Sequence, residues 1–252
     1  MNATSARTRA SASDALAPKR QRAKRMPADA RKAVILREAG GFFARNGFAA
    51  STRDLADQIG VRQALLYKYY PSKEALIEAV FDRILNERTT GGGGRLNADQ
   101  STSLTDRILR FYETMAALAD GSGTRLASRA ALEDLPVTAR LAAFLARNLF
   151  MPVLDELRTV EGLPSLANRT LMRGEFEIMM AFHAGAMFAN LRRGLDNLPA
   201  PEDTEAFMRL YVSTFIAGAR HAMRELHSGA GAAAMTADAD IPSDKPATRP
   251  TA

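Results

Sequence analysis

The residues best suited to chemistry lie between Thr52 and Lys73, where amide, hydroxyl, phenol and cationic groups suited to hydrogen bonding cluster without a nucleophile and its base. Gln63 carries an amide able to pair with an adenine edge, and Ala64 or Leu65 offers small apolar surface to a thymine methyl. Helical spacing puts Gln63, Ala64, Tyr67 and Lys68 on one outward side, with Leu66 and Tyr70 turned inward. Catalysis has no comparable constellation. The chain has no Cys, and its three His (His183, His221, His227) are scattered, with His221 and His227 off the i, i+4 spacing of a metal chelate. Neither GxSxG nor HExxH occurs, and the acidic pairs Glu133-Asp134 and Asp155-Glu156 are adjacent, so they diverge on a helix. The expectation is a protein without enzyme activity, cofactor or metal.

Two short helices must hold the reading residues. Ser51 or Thr52 caps one helix carrying Leu55, Ala56 and Ile59, and a second runs from Gln63 to Tyr69 or Tyr70. The helices cross closely, so the contact needs a small residue, which Ala56 supplies. The turn between them needs positive φ, which Gly60 adopts without steric cost. This is the spacing of a helix-turn-helix. Leu55, Ile59, Val61 and Leu66 would wedge the pair onto a preceding helix, Ala28 to Asn46, that brings Ile35, Leu36, Ala39, Phe42 and Phe43. Pro71-Ser72 opens a fourth helix with Leu76, Ile77, Val80, Phe81 and Ile84 on its buried stripe.

Charge agrees with this placement. Of the net +6, the first 75 residues hold fifteen basic against six acidic side chains, or +9, and the remainder carries −3. Positive charge confined to the N-terminal third is expected where only that part meets a polyanion, although a solvated basic tail gives the same balance. Residues 1–27 hold almost no large apolar groups and read as a disordered arm, and residues 229–252 read the same way. Lys19 to Arg25 could follow a DNA backbone or enter a minor groove, or only solubilise. Gly91 to Gly94 lack the strand and the Lys-Ser or Lys-Thr of a phosphate-binding loop, and read as a joint. No run reads as a membrane span, and the absence of Cys suits a reducing cytoplasm. Further helices are expected near 103–119, 124–133, 137–158 (bent at Pro152), 168–193 and 202–227, making the chain all-α.

The strings "IL..A..FFARNGF" (35–48), "STRDLADQIGV" (51–61) and above all "LYKYYPSKEAL" (66–76) resemble the TetR (tetracycline-repressor-type) family of regulators. The resemblance covers about Arg31 to Val80. It implies that Thr52, Arg53, Tyr67, Tyr69 and Lys73 contact phosphates, joining Arg62, Gln63, Ala64, Leu65 and Lys68 in a DNA-binding set; for Tyr67 and Tyr69, packing between helices is the plainer alternative. Departures are Gly40-Gly41 inside the first helix, at a propensity cost of about 1 kcal/mol each, Arg62 where a small capping residue is usual, and Tyr70 where Phe is common. Residues 28–74 would form the DNA-binding domain and 75–228 an effector-binding and dimerisation domain.

One short reading helix contacts few bases, so a two-fold homodimer on a pseudo-palindromic operator in double-stranded DNA is expected, with repression the default that the resemblance implies. The last two long helices are the candidates for the dimer. One carries a stripe of Phe207, Leu210, Tyr211, Thr214, Phe215, Gly218 and Ala222, and the other the small face Ala181, Ala184, Gly185 with Phe188. An intramolecular core role for both remains open. Phe111, Met115, Met151, Met172, Phe176, Met179 and His183 are core at helical spacing or the lining of a site for a small apolar effector, with Glu175 a second polar anchor. A nonspecific architectural DNA binder without an effector is the alternative function.

Overall fold

Every named element among the described residues is a helix. The structure, a computed structural model, describes residues 27–90, 96, 101–117, 122–192, 199–229 and 233–241. The basic arm through residue 26 and the four-glycine run lie outside the described residues. The first four helices are α1 (Ala28–Asn46), α2 (Thr52–Gln58), α3 (Gln63–Tyr69) and α4 (Lys73–Thr90). Ser51 is the cap of α2, its hydroxyl accepting from the Arg53 N–H at 3.0 Å, and Ser72 accepts from the Ala75 N–H at 3.0 Å at the start of α4. Gly60 takes φ +68° between α2 and α3, as the tight corner requires.

A cluster of rings fills the first core: Phe43 stacks on Phe48 at 5.6 Å and Phe48 tilts against Phe81 at 6.1 Å. Residues 28–74 do not close this core alone. Leu76, Val80, Phe81 and Ile84 of α4 belong to it, as do Leu126, Ala130, Val137 and Leu141 from helices further on. Each large apolar side chain buried there contributes roughly 1.5–3 kcal/mol, so the reading head depends on the rest of the chain for part of its stability. Gly40 is buried where α1 meets α4, and a Cβ there would lie an ordinary 3.5 Å from Val80 Cγ1. The Gly40-Gly41 pair lowers helix propensity without loosening this packing.

The second core is built from α5 (Leu104–Ala117), α7 (Val137–Leu145), a π-helical segment (Ala146–Phe150), α8 (Met151–Val160), α9 (Arg173–Arg192) and α10 (Thr204–His227), whereas α6 (Gly123–Leu132) gives its buried Leu126 and Ala130 to the first core. The run Val137–Val160 is continuous, 24 residues long and apolar enough by composition to cross a membrane, contrary to the expectation that no segment would be. Half of its apolar window is buried within the fold, with Leu149, Phe150, Val153 and Leu154 fully enclosed. Just before Pro152, where a bend was expected, the helix takes a π-helical turn. Proline has no N–H to give the Asn148 carbonyl, and that oxygen instead accepts from the Leu96 N–H at 2.8 Å.

Two expectations fail at the C-terminal end. The helix expected from residue 168 starts at Arg173, because the carbonyls of Pro164, Arg169 and Thr170 are taken by the buried Arg158 guanidinium at 3.2, 2.8 and 3.0 Å. The segment expected to be a disordered tail folds back through residues 233–241. A short helix α11 (Ala233–Thr236) leads into an antiparallel bridge between Asp238 and Met172, with Arg173 N–H donating to the Ala237 carbonyl at 2.7 Å and Ala239 N–H to that of Leu171 at 2.8 Å.

Candidate nucleic-acid interface

The α2–α3 pair is seated by Leu55, Ala56 and Leu66, all essentially inaccessible, and closed by the Val61 N–H donating to the Ala56 carbonyl at 2.9 Å. This leaves one face of α3 outward, bearing Ala64, Tyr67 and Lys68, with Gln63 and Leu65 half-buried beside it. Arg53 and Arg62 are exposed at the helix ends, and Lys73 is half-buried at the start of α4. Eight of the ten expected contact residues are thus at least partly exposed and lie outside the core of the head. Thr52 and Tyr69 depart from the pattern. Thr52 is only 6% exposed, and Tyr69 is half-buried against the core of the head.

Thr52 sits between two reading residues. Its Oγ1 accepts from Gln63 Nε2 at 2.9 Å and shares a hydrogen bond with Tyr67 Oη at 2.9 Å. The hydroxyl expected to meet a phosphate therefore fixes Gln63 and Tyr67 to the α2 N-terminus. Held in this way, each loses rotamer freedom before any ligand arrives, which lowers the entropy cost of recognition. Gln63 must exchange its Thr52 bond to present both amide groups to an adenine.

Behind α3, Tyr70 is buried, with Lys32 Nζ 5.8 Å over its ring. Its hydroxyl has no hydrogen-bond partner among the described residues, and burial pushes its pKa up to about 12. The departure from Phe noted in the sequence thus places a polar atom in an apolar setting.

Polar contacts tie the head to α6 and α7. Arg129 of α6 donates through Nε to the Ala44 carbonyl at 3.0 Å and through Nη2 to that of Arg45 at 3.1 Å, closing the last turn of α1. Arg140 of α7 pairs with Glu78 at 2.9 Å and with Asp82, both on α4. These same two helices line a cavity of about 180 Å³ together with α5 and α9.

Of the expected effector residues, Met115 and His183 line this cavity; Phe111, Met151, Met172, Phe176 and Met179 do not. Phe111 and Met179 are packed in the second core. Phe176 packs edge-on against Phe150 at 5.9 Å, Met172 bridges to the returning chain, and Met151 borders a separate open cleft. Glu175 is no anchor for a ligand. It is fully buried, accepts from Arg158 Nε at 2.8 Å and from the Met172 N–H at 2.9 Å, and meets His227 Nε2 at 3.1 Å. Residues passed over were Leu141, Leu145, Met180, Met187 and Asn190. The i, i+3, i+7 spacing of Met180, His183 and Met187 was the available signal.

The expected dimer stripe divides. Phe207, Tyr211 and Phe215 turn inward, with Phe182 stacked on Tyr211 at 5.3 Å and on Phe215 at 4.0 Å. Leu210 (66% exposed), Thr214 and Gly218 face outward, as do Ala181, Ala184 and Phe188 (53% exposed) of α9. Gly185 serves the interior instead: a Cβ there would lie 2.2 Å from Tyr211 Oη, which donates to the Phe182 carbonyl at 2.8 Å.

Comparison with known proteins agrees with the geometry of the head. Residues 35–80 match the bacterial regulatory proteins of the tetR family. Among curated proteins, the chain is 28% identical over 102 residues to the tetracycline repressor protein class G of Vibrio anguillarum, which is 40% of this chain and 49% of that protein. It is 30% identical over 79 residues to the class A tetracycline repressor from transposon 1721 of Escherichia coli, or 31% and 37%. It is also 30% identical over 126 residues to the nucleoid occlusion factor SlmA of Actinobacillus pleuropneumoniae serotype 5b (strain L20), or 46% and 62%. The chain spans about half or less of the length of the tetracycline repressors it matches. The helix-turn-helix at Thr52 to Tyr69 lies within the match to the tetR family, so residues 35–80 form an N-terminal domain of the tetR type.

Proposed function

We propose that this protein is a dimeric, ligand-responsive repressor that occupies a pseudo-palindromic operator and leaves it when a small molecule fills the α5–α6–α7–α9 cavity. The observation that carries the reading is the outward face of α3, where Gln63 and Tyr67 are pre-positioned by Thr52 beside the exposed Lys68. Such a face enters a major groove, and flanking cations hold the phosphates. The outward residues of α9 and α10 supply the two-fold contact, so that two heads meet successive turns of one duplex face. Arg129 and Arg140 join the cavity walls to α1 and α4, giving an effector a mechanical route to the spacing of the heads. The cytoplasm is the compartment in which such a protein works.

A second reading has the similarity to the nucleoid occlusion factor in its favour: a DNA-binding protein whose task is not effector-controlled transcription. Selection of bound sequences from random DNA tests both, read alongside operator and random-DNA affinity at one fixed salt concentration. An inverted repeat is expected. Gln63→Ala should relax preference at one position of each half-site, and Lys73→Ala should weaken all sequences alike with a shallower salt slope. Recovery of sites without two-fold symmetry would remove the dimer, and equal affinity for random DNA would remove operator recognition.

A further inference from the structure

The cavity has a definite chemistry, and its lining restricts what can enter. Its volume is about 180 Å³, a little above the roughly 150 Å³ of an apolar cavity that takes a benzene ring. Its walls are Met115, Leu141, Leu145, Met180 and Met187 with several Ala residues, and no Asp, Glu, Lys or Arg is among the described lining residues. A bare charge buried there would find no counter-charge and would lose its hydration. An adjoining groove of about 330 Å³ shares Tyr112, Ala116 and Asn190 with the cavity and carries the carboxylates of Glu113 and Glu205, which oppose an anion approaching from that side.

The lining is not wholly apolar. Tyr112 Oη and His183 Nδ1 are hydrogen-bonded to each other at 3.0 Å. Thr138 is different. Its hydroxyl is buried and has no partner among the described residues, although a Thr in a helix usually bonds a carbonyl one turn back. A buried hydroxyl left unpaired is an unmet demand, and a ligand with one hydroxyl or carbonyl satisfies it.

We infer that the effector is an uncharged molecule of single-ring size whose one hydroxyl or carbonyl group pairs with the Thr138 hydroxyl, the rest lying against the Met and Leu walls. This inference rests on the ligand-responsive reading given above. Met side chains repack around rings of differing outline, so the class is set by size, charge and the single polar group more than by shape.

The test uses the full chain and a matched set of probes: toluene, benzyl alcohol, benzaldehyde, benzoate, benzylammonium and the two-ring 2-naphthylmethanol. Binding is measured by calorimetry, and operator affinity is measured in parallel with the DNA recovered by selection. Benzyl alcohol or benzaldehyde is expected to bind best, with toluene about tenfold weaker, the loss of one good hydrogen bond. Benzoate and benzylammonium should bind weaker still. Thr138→Val, nearly the same in shape, should bring benzyl alcohol down to toluene and leave toluene unchanged; Thr138→Ser should restore the preference for the alcohol. If the valine variant does not fold, the serine variant and the wild-type ranking alone decide. A charged or two-ring probe binding best overturns the inference, as does an alcohol preference that survives Thr138→Val, or no binding by any probe. Binding that follows the expected order while operator affinity stays constant upholds the ligand class and removes ligand-controlled DNA release. Operator release by a charged or two-ring probe alone does the reverse.

Discussion

Tyr70 shows how far a residue's type can be judged from its position. The sequence places an aromatic ring at the inward end of α3, and the ring is indeed buried beneath Lys32. The extra oxygen could not be assessed without neighbours, and they leave it unsatisfied. Removing it should therefore help: Tyr70→Phe is expected to raise unfolding free energy by about 1 kcal/mol in urea titration, with DNA affinity unchanged. A loss of stability instead would mean that the hydroxyl has a partner. Thr52 taught the reverse lesson. Its type and place at a helix start suggested a phosphate contact, but a hydrogen bond between side chains eleven and fifteen residues apart has no signature in spacing alone.

At the scale of elements, helices were legible wherever a cap and an apolar stripe coincide, as at Ser51, Ser72 and the faces of α1 and α4. They were not legible where a distant side chain takes the backbone. Arg158 claims three carbonyls before α9 and so delays its start, a long-range competition that no local propensity reveals. The same Arg158, with Glu175 and His227, joins α8, α9 and α10 in the interior. Burial pushes the Glu175 pKa up, but the bonds from Arg158, the Met172 N–H and His227 outweigh it, and the net position is below the ordinary carboxylate value. Its stabilisation is thus present at neutral pH and is lost as pH falls through the acid range. Glu175→Gln should cost about 3–5 kcal/mol at neutral pH by leaving Arg158 without its counter-charge. Urea titrations from about pH 7 to about pH 3 should show the wild type losing stability more steeply than the variant. Parallel curves would remove Glu175 from acid stability.

At the scale of the molecule, an all-helical chain with a reading head at the front could be read from the sequence, because a helix-turn-helix is a local pattern. The division between head and body could not. Leu126, Ala130, Val137 and Leu141 complete the head's core from more than forty residues beyond Ile84. The cavity likewise draws on four helices, so spacing along any one of them identifies only part of its wall. Communication should run where α6 grips the end of α1. Arg129→Met keeps the side-chain stem and removes both bonds to the carbonyls of Ala44 and Arg45. Effector affinity should hold, while the ratio of operator dissociation constants with and without effector should fall by fivefold or more, on the order of 1 kcal/mol of coupling. An unchanged ratio would place the route through Arg140 instead.

Pro152 turns a local defect into a long-distance fastening. By withholding an N–H, it leaves the Asn148 oxygen for Leu96, which lies buried between α4 and α5 in the chain. Pro152→Ala, a change that helix propensity favours, would supply a rival donor to that oxygen. The core helix would gain a rung as the passage from head to body slackened, and faster amide exchange at Leu96 would report it. What strengthens a part would here unfasten the whole.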